Sequence, residues 1–405
     1  MSQRVLVIDD DADLRTMVQR LLQRAGYEVN LLPSADTLES TVGQYRPDVV
    51  LCDIMMPGRD GMDVLKQLRG DPETRGLPVV LVSGKSYEVD RRAALDAGAA
   101  GYLVKPFQPS ELIRTVNQAL KQVVTAMIWG CRGSIPAPER ALGFYGGNTS
   151  CVDLVLPGNR HIIFDAGTGI RLLGNAIVGE SPMRAALFLT HYHWDHIHGL
   201  PFFKPLYVPG NEIHIYGPAE DTDSLTSKIA REMGGDYFPV SLDSFRSAVR
   251  FTAMQDKTIE AYGVTISALY TLHPGRTLAY RVECGDRSFV YAPDNELLPE
   301  SVHPKLTGEA MRLALFAKGA SLFMHDAMYS REMYERRRGW GHSCGECLAA
   351  VCAQAEVKRV LLFHHDPDNT DAEVEAIHRE FQRSLSARGV EISSEPAREG
   401  GSYVV

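Results

Sequence analysis

The sequence predicts an α/β protein made of two successive domains, residues 1–124 and 125–405. A chain of 405 residues has room for two or three domains of ordinary size. Its first third alternates short apolar runs with amphipathic helical segments, whereas the remainder contains short strands, glycine-rich turns and later helices. No Gly/Ser-rich or proline-rich spacer separates the two patterns, so we expect movement at the end of the first domain to reach the second directly.

Composition and charge narrow the class of protein. Hydrophobic residues make up 44% and charged residues 23% of the chain, as in ordinary globular proteins. The net charge of -9 disfavours extended nucleic acid as the main partner, because proteins that bind it usually present a basic surface. We find no signal-like segment, no run of eighteen apolar residues and an odd number of cysteines. We therefore expect a cytoplasmic protein with reduced thiols and no membrane partner.

The first domain is predicted to be a five-stranded parallel sheet covered by helices. Residues 14–25 carry apolar side chains at helical spacing, which indicates a helix packed on a sheet. A second amphipathic helix is predicted from about 110 to 125. The predicted strands are VLVI (5–8), EVNLL (28–32), VVLC (49–52), VVLV (79–82) and YLV (102–104).

Polar residues collect at the points where these five strands end. Ligands of open parallel sheets bind at the carboxyl ends of the strands, so these side chains should share one site. Three carboxylates at one edge repel one another unless a cation lies among them, and oxygen ligands suit Mg²⁺. The residues concerned are Asp9, Asp10, Asp53, Ser83 and Lys105.

With these motifs the first domain resembles the receiver domain of two-component response regulators. The resemblance implies that Asp53, in LCDIMMPGRDG, accepts a phosphoryl group, and that Asp9 and Asp10 hold Mg²⁺ together with it. It also implies a sensor histidine kinase as phosphodonor and a dimerising face on the last helix of the domain. The residues implied to switch with phosphorylation are Ser83, Tyr102 and Lys105.

The second domain carries four histidines within ten residues, THYHWDHIHG (190–199). His191 and His193 are two positions apart in an extended segment and therefore point to the same side. Asp195 and His196 follow where a helix should begin. One cation cannot easily take all four ligands, so we expect two adjacent ions, each completed by distant residues. Residues that follow other apolar runs supply the expected completions, namely His273, Asp294 and His364.

This constellation resembles the metallo-β-lactamase superfamily across residues 127–405, which implies an αββα sandwich. The implied ligands are His191, His193 and His273 for the first ion, Asp195, His196 and His364 for the second, and Asp294 as the bridge. His365 is an alternative to His364, but His364 directly follows the apolar run VLLF and is preferred. Imidazole and carboxylate ligands fit Zn²⁺ best, with Mn²⁺ or iron as options.

Three flanking segments resemble the branch that contains tRNA 3′-processing ribonucleases and small cyclic-phosphate phosphodiesterases: WGCRGSIP (129–136), YGGNTSC (145–151) and WGHS (340–343). The resemblance implies that His342 protonates the leaving oxygen and acts with Asp195 and Asp294 in catalysis. Only 21 positions separate His273 from Asp294, so the substrate-gripping arm of the ribonucleases is absent there. We therefore expect a small phosphodiester, such as a cyclic nucleotide or a nucleotide fragment.

Four residues are candidate substrate contacts: Arg336, Arg337, Arg338 and His325. The arginines precede His342 and could grip phosphate in a bidentate manner, although a solvated helix face or loop explains them better. Trp194 and Phe202 could stack a base, but we expect both rings to pack.

The sequence thus predicts a homodimeric response regulator whose output is metal-dependent hydrolysis of a small phosphodiester, controlled by phosphorylation of Asp53. Two alternatives remain open. The hydrolysed bond could belong to a lactone, thioester or β-lactam, or the metal domain could be a non-catalytic signalling scaffold. The complete ligand set argues against the scaffold, because a degenerate site would be expected to lack a ligand.

Overall fold

The computed structural model describes residues 3–71, 74, 77–84, 93–94, 97–120, 124–138, 143–156, 160–180, 183–234, 238–285, 287–302 and 305–405. The chain divides into two compact units. The first comprises residues 1–124 with 156–158 and 404, and the second comprises the rest. All seven cysteines are free thiols. Among the described helices, none combines the length and the apolar character required to cross a membrane.

The first unit contains the predicted five-stranded parallel sheet, with strand order β2-β1-β3-β4-β5. Its strands are β1 (Arg4–Ile8), β2 (Glu28–Leu32), β3 (Val49–Asp53), β4 (Val79–Ser83) and β5 (Gly101–Val104). Its helices are α1 (Ala12–Arg24), α2 (Leu38–Tyr45), α3 (Gly61–Gly70) and α4 (Pro109–Leu120). Because β1 and β3 are neighbours, the residues at their carboxyl ends lie side by side.

Apolar clusters cover both faces of this sheet, as the continuous apolar strands require. On α4 the predicted stripe is buried at Leu112, Val116 and Ala119. The predicted end of this helix is wrong, because Thr125 belongs to the next strand and not to a helix. Residues 121–123, which include the last apolar residue of the predicted stripe, lie outside the described residues.

The second unit contains two seven-stranded sheets. The first has the order β11-β10-β9-β8-β7-β6-β19, with β6 (Thr125–Gly130), β7 (Cys151–Leu156), β8 (Arg160–Phe164), β9 (Arg184–Phe188), β10 (Glu212–Pro218), β11 (Ala248–Met254) and β19 (Ser402–Val404). The second has the order β12-β13-β14-β15-β16-β17-β18, with β12 (Thr258–Ala261), β13 (Val264–Tyr270), β14 (Leu278–Cys284), β15 (Arg287–Ala292), β16 (Leu322–Asp326), β17 (Arg359–Phe363) and β18 (Ser393–Pro396).

Helices enclose these two sheets. They are α5 (Gly169–Ile177), α6 (Trp194–Ile197), α7 (Thr222–Glu232), α8 (Pro299–Val302), α9 (Gly308–Phe316), α10 (Arg331–Arg336), α11 (Gly345–Ala355) and α12 (Asp371–Ala387). Short 3₁₀ turns span Val178–Glu180, Leu200–Phe202, Lys204–Tyr207 and Leu242–Ser244.

Buried aromatic rings join the two sheets face to face. The Phe164 ring of β8 lies 5.6 Å from Phe289 and 5.7 Å from Tyr280, which belong to the opposite sheet. Helices α5 and α7 contribute to the apolar cluster on the outer side of the first sheet, and α9, α11 and α12 to that of the second. This layering confirms the predicted αββα sandwich.

Strands of both sheets carry functional side chains to one end of this sandwich. A polar residue ends or closely follows β8, β9, β13, β15, β16 and β17, and these residues are Asp165, His191, His273, Asp294, Asp326 and His364. Asp165 and His364 have positive φ angles of 59° and 60°, a conformation that non-glycine residues adopt at an energetic cost. Strained backbone of this kind concentrates at functional sites.

Candidate functional site

The first predicted ligand group forms a compact cluster. The donor atoms of His191, His193 and His273 lie within 4.8 Å of one another. His273 Nε2 is 3.1 Å from His193 Nδ1, and the rings of His191 and His193 are 4.4 Å apart. His193 is the N-cap residue of α6, so the extended segment ends there, and the helix that follows buries Asp195 and His196.

The second predicted group lies beside the first. His364 Nε2 is 3.1 Å from Asp195 Oδ2 and 3.3 Å from His196 Nε2. The donor atoms of these three residues also lie within 4.8 Å of one another. Asp195 is held in place by the backbone N–H of Ser134, which donates to Asp195 Oδ2 at 2.7 Å. The WGCRGSIP segment therefore contributes a backbone contact to the site.

Asp294 lies between the two groups, at the position predicted for a bridging ligand. Its Oδ2 is 3.0 Å from His196 Nε2, and its Oδ1 is 3.7 Å from His273 Nε2 and 3.5 Å from His364 Nε2. One carboxylate thus faces histidines of both groups.

His364 and His365 have different surroundings. His364 points into the cluster, where its ring stacks on His342 with centroids 4.9 Å apart. The ring of His365 instead donates from Nε2 to the carbonyl oxygen of Ala397 at 2.8 Å. A Cβ atom on Gly133 would lie 2.4 Å from the His364 ring, so only glycine leaves room for that ring. The structure places His364, and not His365, in the site.

The hydrogen bonds of the histidines fit metal ligands. His196 Nδ1–H donates to Asp165 Oδ2, and His273 Nδ1–H donates to the Gly341 carbonyl, each at 2.8 Å. In neutral rings the Nε2 lone pairs are therefore directed into the cluster. His191 Nε2 is buried without a hydrogen-bond partner among the described residues. Converging imidazole lone pairs and carboxylate oxygens are the ligand set that divalent transition metals prefer.

The pKa shifts of the clustered side chains also agree with a role as metal ligands. Burial lowers the pKa of His191 well below its ordinary value. Burial alone would raise the pKa of Asp294, but the facing histidines hold it well below its ordinary range. Burial also lowers the pKa of His196, yet the surrounding carboxylates, led by Asp195, raise it well above its ordinary value. The site therefore stabilises ionised carboxylates and a positive charge among them.

Asp165 is a positioning residue that the sequence analysis missed. It is fully buried, and its carboxylate accepts hydrogen bonds from the Thr190 backbone and hydroxyl, the Tyr291 hydroxyl and His196 Nδ1. Such a partner fixes the tautomer and orientation of a ligating imidazole. The signal was present in the sequence, because Asp165 directly follows the apolar run HIIF, as the other site residues follow theirs.

His342 and Asp326 form a second hydrogen-bonded pair at the edge of the cluster. His342 Nδ1 donates to Asp326 Oδ2 at 2.8 Å, and the His342 ring lies 5.2 Å from that of His273. Burial by itself lowers the pKa of His342, but the Asp326 carboxylate raises it to about 9. With Nδ1 engaged, Nε2 is the nitrogen left to exchange a proton with another molecule.

The receiver site is built at the carboxyl edge of the first sheet. Lys105 Nζ lies 2.6 Å from Asp53 Oδ1 and 2.8 Å from Asp9 Oδ2. Burial raises the pKa of Asp53. Asp9 and Asp53 are buried, whereas Asp10 is exposed beside them. The remaining two predicted residues lie on the neighbouring strands: Ser83 ends β4 and Tyr102 is half-buried on β5.

Comparisons with known proteins agree with this geometry. The family model of the beta-lactamase superfamily domain matches residues 160–365, just over half of the chain. The chain belongs to the beta-lactamase superfamily. The model of the response regulator receiver domain matches residues 5–117, so a receiver domain precedes the superfamily domain.

Two curated response regulators match over a length close to that of the receiver domain. The DNA-binding response regulator MtrA of Mycolicibacterium paratuberculosis is 38% identical over 122 residues, which are 30% of this chain and 53% of that protein. The phosphate regulon regulatory protein PhoB of Escherichia coli is 32% identical over 123 residues, 30% of this chain and 54% of that protein. The chain thus spans about half the length of the curated relatives it matches.

A solved structure matches the superfamily domain. The metallo-beta-lactamase fold protein YhfI from Bacillus subtilis covers 70% of this chain and 99% of its own, with 19% sequence identity and a TM-score of 0.53. At this identity the likeness shows the fold. A metallo-beta-lactamase fold implies binding of divalent metal ions, which agrees with the histidine and carboxylate cluster of this superfamily domain.

The candidate substrate contacts of the superfamily domain already have partners within the protein. Arg337 is paired with Asp366, and His325 is fully buried, with its ring nitrogens bonded to Asn295 and the Asp326 carbonyl. His325 is therefore not accessible to a substrate, which corrects that prediction. The other two arginines are exposed ion-pair members, Arg336 with Glu332 and Arg338 with Glu300. A phosphate would have to compete with these carboxylates for any of the three guanidinium groups.

Two aromatic rings of the superfamily domain differ from the prediction that they pack. The Trp194 side chain, between two ligand residues, is 72% exposed. Phe202 is about half exposed and makes an edge contact with Phe238, with ring centroids 5.5 Å apart. Residue type alone could not show whether these rings are buried or exposed, because exposure is decided by neighbours that are distant in sequence.

Proposed function

We propose that the chain is a two-component response regulator whose superfamily domain, residues 125–405, hydrolyses a small phosphodiester with two divalent transition-metal ions. The receiver domain is assigned to residues 1–124. One observation carries the proposal: seven predicted ligands, four from residues 191–196 and three from distant strand ends, meet in one cluster beside the His342–Asp326 pair, and all of them except His193 are buried. Zn²⁺ suits these ligands best, with Mn²⁺ or iron as alternatives.

The proposed ligands divide into two sets with a shared carboxylate. His191, His193 and His273 would hold one ion, Asp195, His196 and His364 the other, and Asp294 would face both. When bound, two such ions activate water and polarise a phosphoryl oxygen. The chain contributes the geometry, because Asp165 and the Gly341 carbonyl fix two of the rings in the orientation that a ligand needs.

His342 is proposed to protonate the leaving oxygen. Its Nδ1–H is held by Asp326, so the ring is oriented and Nε2 carries the proton that is transferred. Asp326 itself is fixed, since its Oδ1 accepts a hydrogen bond from the Met328 backbone at 3.0 Å. A departing alkoxide is a poor leaving group without a proton, which is why phosphodiester cleavage needs such a residue.

The proposed substrate is small. The segment between His273 and Asp294 forms β14 and β15, which pair with each other and belong to the sandwich. This segment therefore belongs to the sandwich and does not form an extended arm that could bind a long polymer. The net charge of -9 also disfavours extended nucleic acid. A cyclic nucleotide or a short nucleotide fragment agrees with both features.

In the receiver domain, Asp53 is the proposed phosphoacceptor, with a sensor histidine kinase as phosphodonor. Mg²⁺ would be held by Asp9, Asp10 and Asp53, and Lys105 lies close enough to Asp53 to neutralise an incoming phosphoryl group. Ser83 and Tyr102 complete the proposed switch. The protein is proposed to be a homodimer, which a molar-mass measurement in solution tests directly.

The experiment is hydrolysis of bis(p-nitrophenyl) phosphate and of a panel of 2′,3′- and 3′,5′-cyclic nucleotides by metal-loaded protein. Asp195→Ala should abolish turnover, because Asp195 ligates one ion of the pair. Asp223→Ala, an exposed carboxylate on α7, is the matched control and should leave turnover unchanged. Metal-loaded protein that cleaves none of these phosphodiesters would contradict the proposal.

Regulation is tested on the same protein with a small-molecule phosphodonor. Acetyl phosphate with Mg²⁺ should change the hydrolysis rate of the wild type and leave Asp53→Asn unaffected. An equal response of both proteins would show that the effect does not pass through Asp53, and identical rates with and without phosphodonor would remove the receiver as the switch.

A second candidate is hydrolysis of a lactone or thioester. It is favoured by one observation, the exposed apolar side chains of Ile135 and Leu272 next to Ser134 and His273. An apolar rim suits an acyl chain better than a phosphate. Turnover of a homologous series of acyl thioesters, with no turnover of any phosphodiester, would favour this candidate.

A further inference from the structure

Two of the three tryptophans of the chain adjoin residues of the ligand cluster, and both are unusually exposed. Trp194 is 72% and Trp340 is 60% exposed, whereas Trp129 is largely covered. Large aromatic side chains usually bury most of their surface, and a group of exposed ones marks a binding surface. Trp194 lies between His193 and Asp195, and Trp340 lies two residues before His342.

Along the chain, both tryptophans adjoin residues of the same corner of the cluster. His193 Nδ1 and His273 Nε2 are 3.1 Å apart, and His273 Nδ1 donates to the carbonyl oxygen of Gly341. Trp194 follows His193 directly, and Trp340 precedes Gly341 directly. Trp194 thus adjoins one histidine of this contacting pair, and Trp340 adjoins the residue that is hydrogen-bonded to the other.

The segment that carries Trp340 is fixed by a buried carboxylate. Glu296 accepts hydrogen bonds from the backbone N–H groups of Gly339 at 2.8 Å and Gly341 at 3.0 Å, and from the Tyr334 hydroxyl at 2.8 Å. Gly341 has φ 89°, and a Cβ atom there would lie 2.4 Å from the His273 ring. The exposed indole thus projects from an anchored backbone that contacts the site.

Arg337 supports the indole of Trp340. Its guanidinium carbon lies 5.5 Å from the Trp340 ring centroid and 5.2 Å from that of Tyr329. The ion pair with Asp366 holds the guanidinium between these two rings. A cation against one part of the indole still leaves most of the ring open to solvent. The arrangement provides a flat, rigid and electron-rich surface at the border of the site.

We infer that Trp340, together with Trp194, stacks the nucleobase of the substrate, so that the phosphodiester is that of a nucleotide and not of an aliphatic alcohol. The inference rests on the proposed function and deepens it. His342 is two positions after Trp340, so their Cα atoms are at most about 7 Å apart. This separation is comparable to that between phosphate and base in a mononucleotide. Stacking on aromatic side chains accepts any base, because every base has a flat face.

The test compares two phosphates that differ only in the base. Adenosine monophosphate and ribose 5-phosphate are titrated by calorimetry into metal-loaded protein. The wild type should bind the nucleotide on the order of tenfold more tightly, as expected for one stacked base. Trp340→Ala should reduce the difference to less than about twofold by weakening the nucleotide alone, and Trp340→Phe should retain most of it.

Phe144→Ala is the matched control. Phe144 is 59% exposed and has an arginine, Arg398, 5.6 Å from its ring, but its backbone is anchored to Asp371 and not to the cluster. This variant should preserve the tenfold difference. Equal binding of the two phosphates to the wild type, or a difference that survives in Trp340→Ala, would overturn the stacking inference while leaving the phosphodiesterase proposal intact. Failure of both phosphates to bind, with turnover of thioesters, would instead remove the proposed function itself.

Discussion

The two carboxylate sites of this chain differ in how their negative charge is balanced. In the receiver domain, Lys105 reaches both buried aspartates, with Nζ 2.6 Å from Asp53 and 2.8 Å from Asp9. In the superfamily domain, Asp195 and Asp294 are surrounded by histidines. Among the residues that the structure describes, neither of these two carboxylates has a lysine or arginine within ion-pair distance.

This difference indicates which of the two sites depends on bound cations for its positive charge. Buried carboxylates are costly unless a positive charge accompanies them. The receiver site contains that charge in its own lysine, so we expect the site to persist with or without bound Mg²⁺ and a phosphoryl group. The histidine cluster contains neither lysine nor arginine among its predicted ligands, and we expect metal cations to balance its carboxylates. Metal ions should therefore be structural for one domain and exchangeable for the other.

Removal of transition metals should have the largest effect, and only on the superfamily domain. A chelator selective for transition metals, in excess Mg²⁺, should abolish hydrolysis. It should also lower the melting temperature of that domain by about 10 °C, since tight ligand binding contributes about 4 kcal/mol at 1,000 times Kd. Differential scanning calorimetry should show the receiver transition almost unchanged. If the chelator lowered the melting temperatures of both domains equally, the proposed difference between the two sites would be contradicted.

Asp326→Asn should impair proton donation by His342 without affecting metal content. General acid catalysis contributes about 10²- to 10⁴-fold, so kcat should fall at least about 100-fold for a phosphodiester with an alkyl leaving group. For p-nitrophenolate, which leaves without a proton, the loss should be below about tenfold. Equal losses on both substrates would show that Asp326 has a structural role only.

Asp165→Asn should weaken metal binding about 10- to 100-fold, the usual effect of removing the acceptor behind a ligating histidine. Competition with a chromogenic chelator measures this. Asp153→Asn is a matched control, because Asp153 makes the same kind of buried contact with His161, at 2.8 Å, away from the predicted ligands. Equal weakening in both variants would mean that general destabilisation, and not ligand orientation, is responsible.

Lys105→Met should have the smallest effect, and it should strengthen metal binding, whereas Asp165→Asn should weaken it. Without its internal cation the receiver site becomes more negative, so its Mg²⁺ affinity should rise at least about fivefold. One unit charge at about 4 Å is worth about 1 kcal/mol even in water. Lys66→Met, at an exposed position of α3, should leave the affinity unchanged. Unaltered Mg²⁺ affinity in Lys105→Met would show that the lysine does not balance the aspartates.

The sequence could predict most of the fold and the clustering of the ligands because both follow from strand periodicity. Short continuous apolar runs locate the strands, and the ends of these runs locate His273, Asp294 and His364. The His191 to His196 stretch adds a local spacing that extended backbone followed by a helix converts directly into geometry.

Other features could not be predicted, because they depend on contacts between distant segments. Arg337 is paired with Asp366 across 29 positions and Arg338 with Glu300 across 38, so the arginine run gave no sign of its neutralisation. Glu296 anchors the loop before His342 through backbone groups that no residue pattern marks. The exposure of Trp194 is likewise a result of how the strand ends meet.

The most direct test of this account is the metal content of the purified protein by elemental analysis, alongside Asp195→Ala and Asp53→Asn. We expect two transition-metal ions per chain in the wild type and in Asp53→Asn, and a reduced content in Asp195→Ala. Protein that contains no transition metal, yet keeps a stable superfamily domain and hydrolyses its substrate, would contradict the claim that metal ions balance the charge of this site.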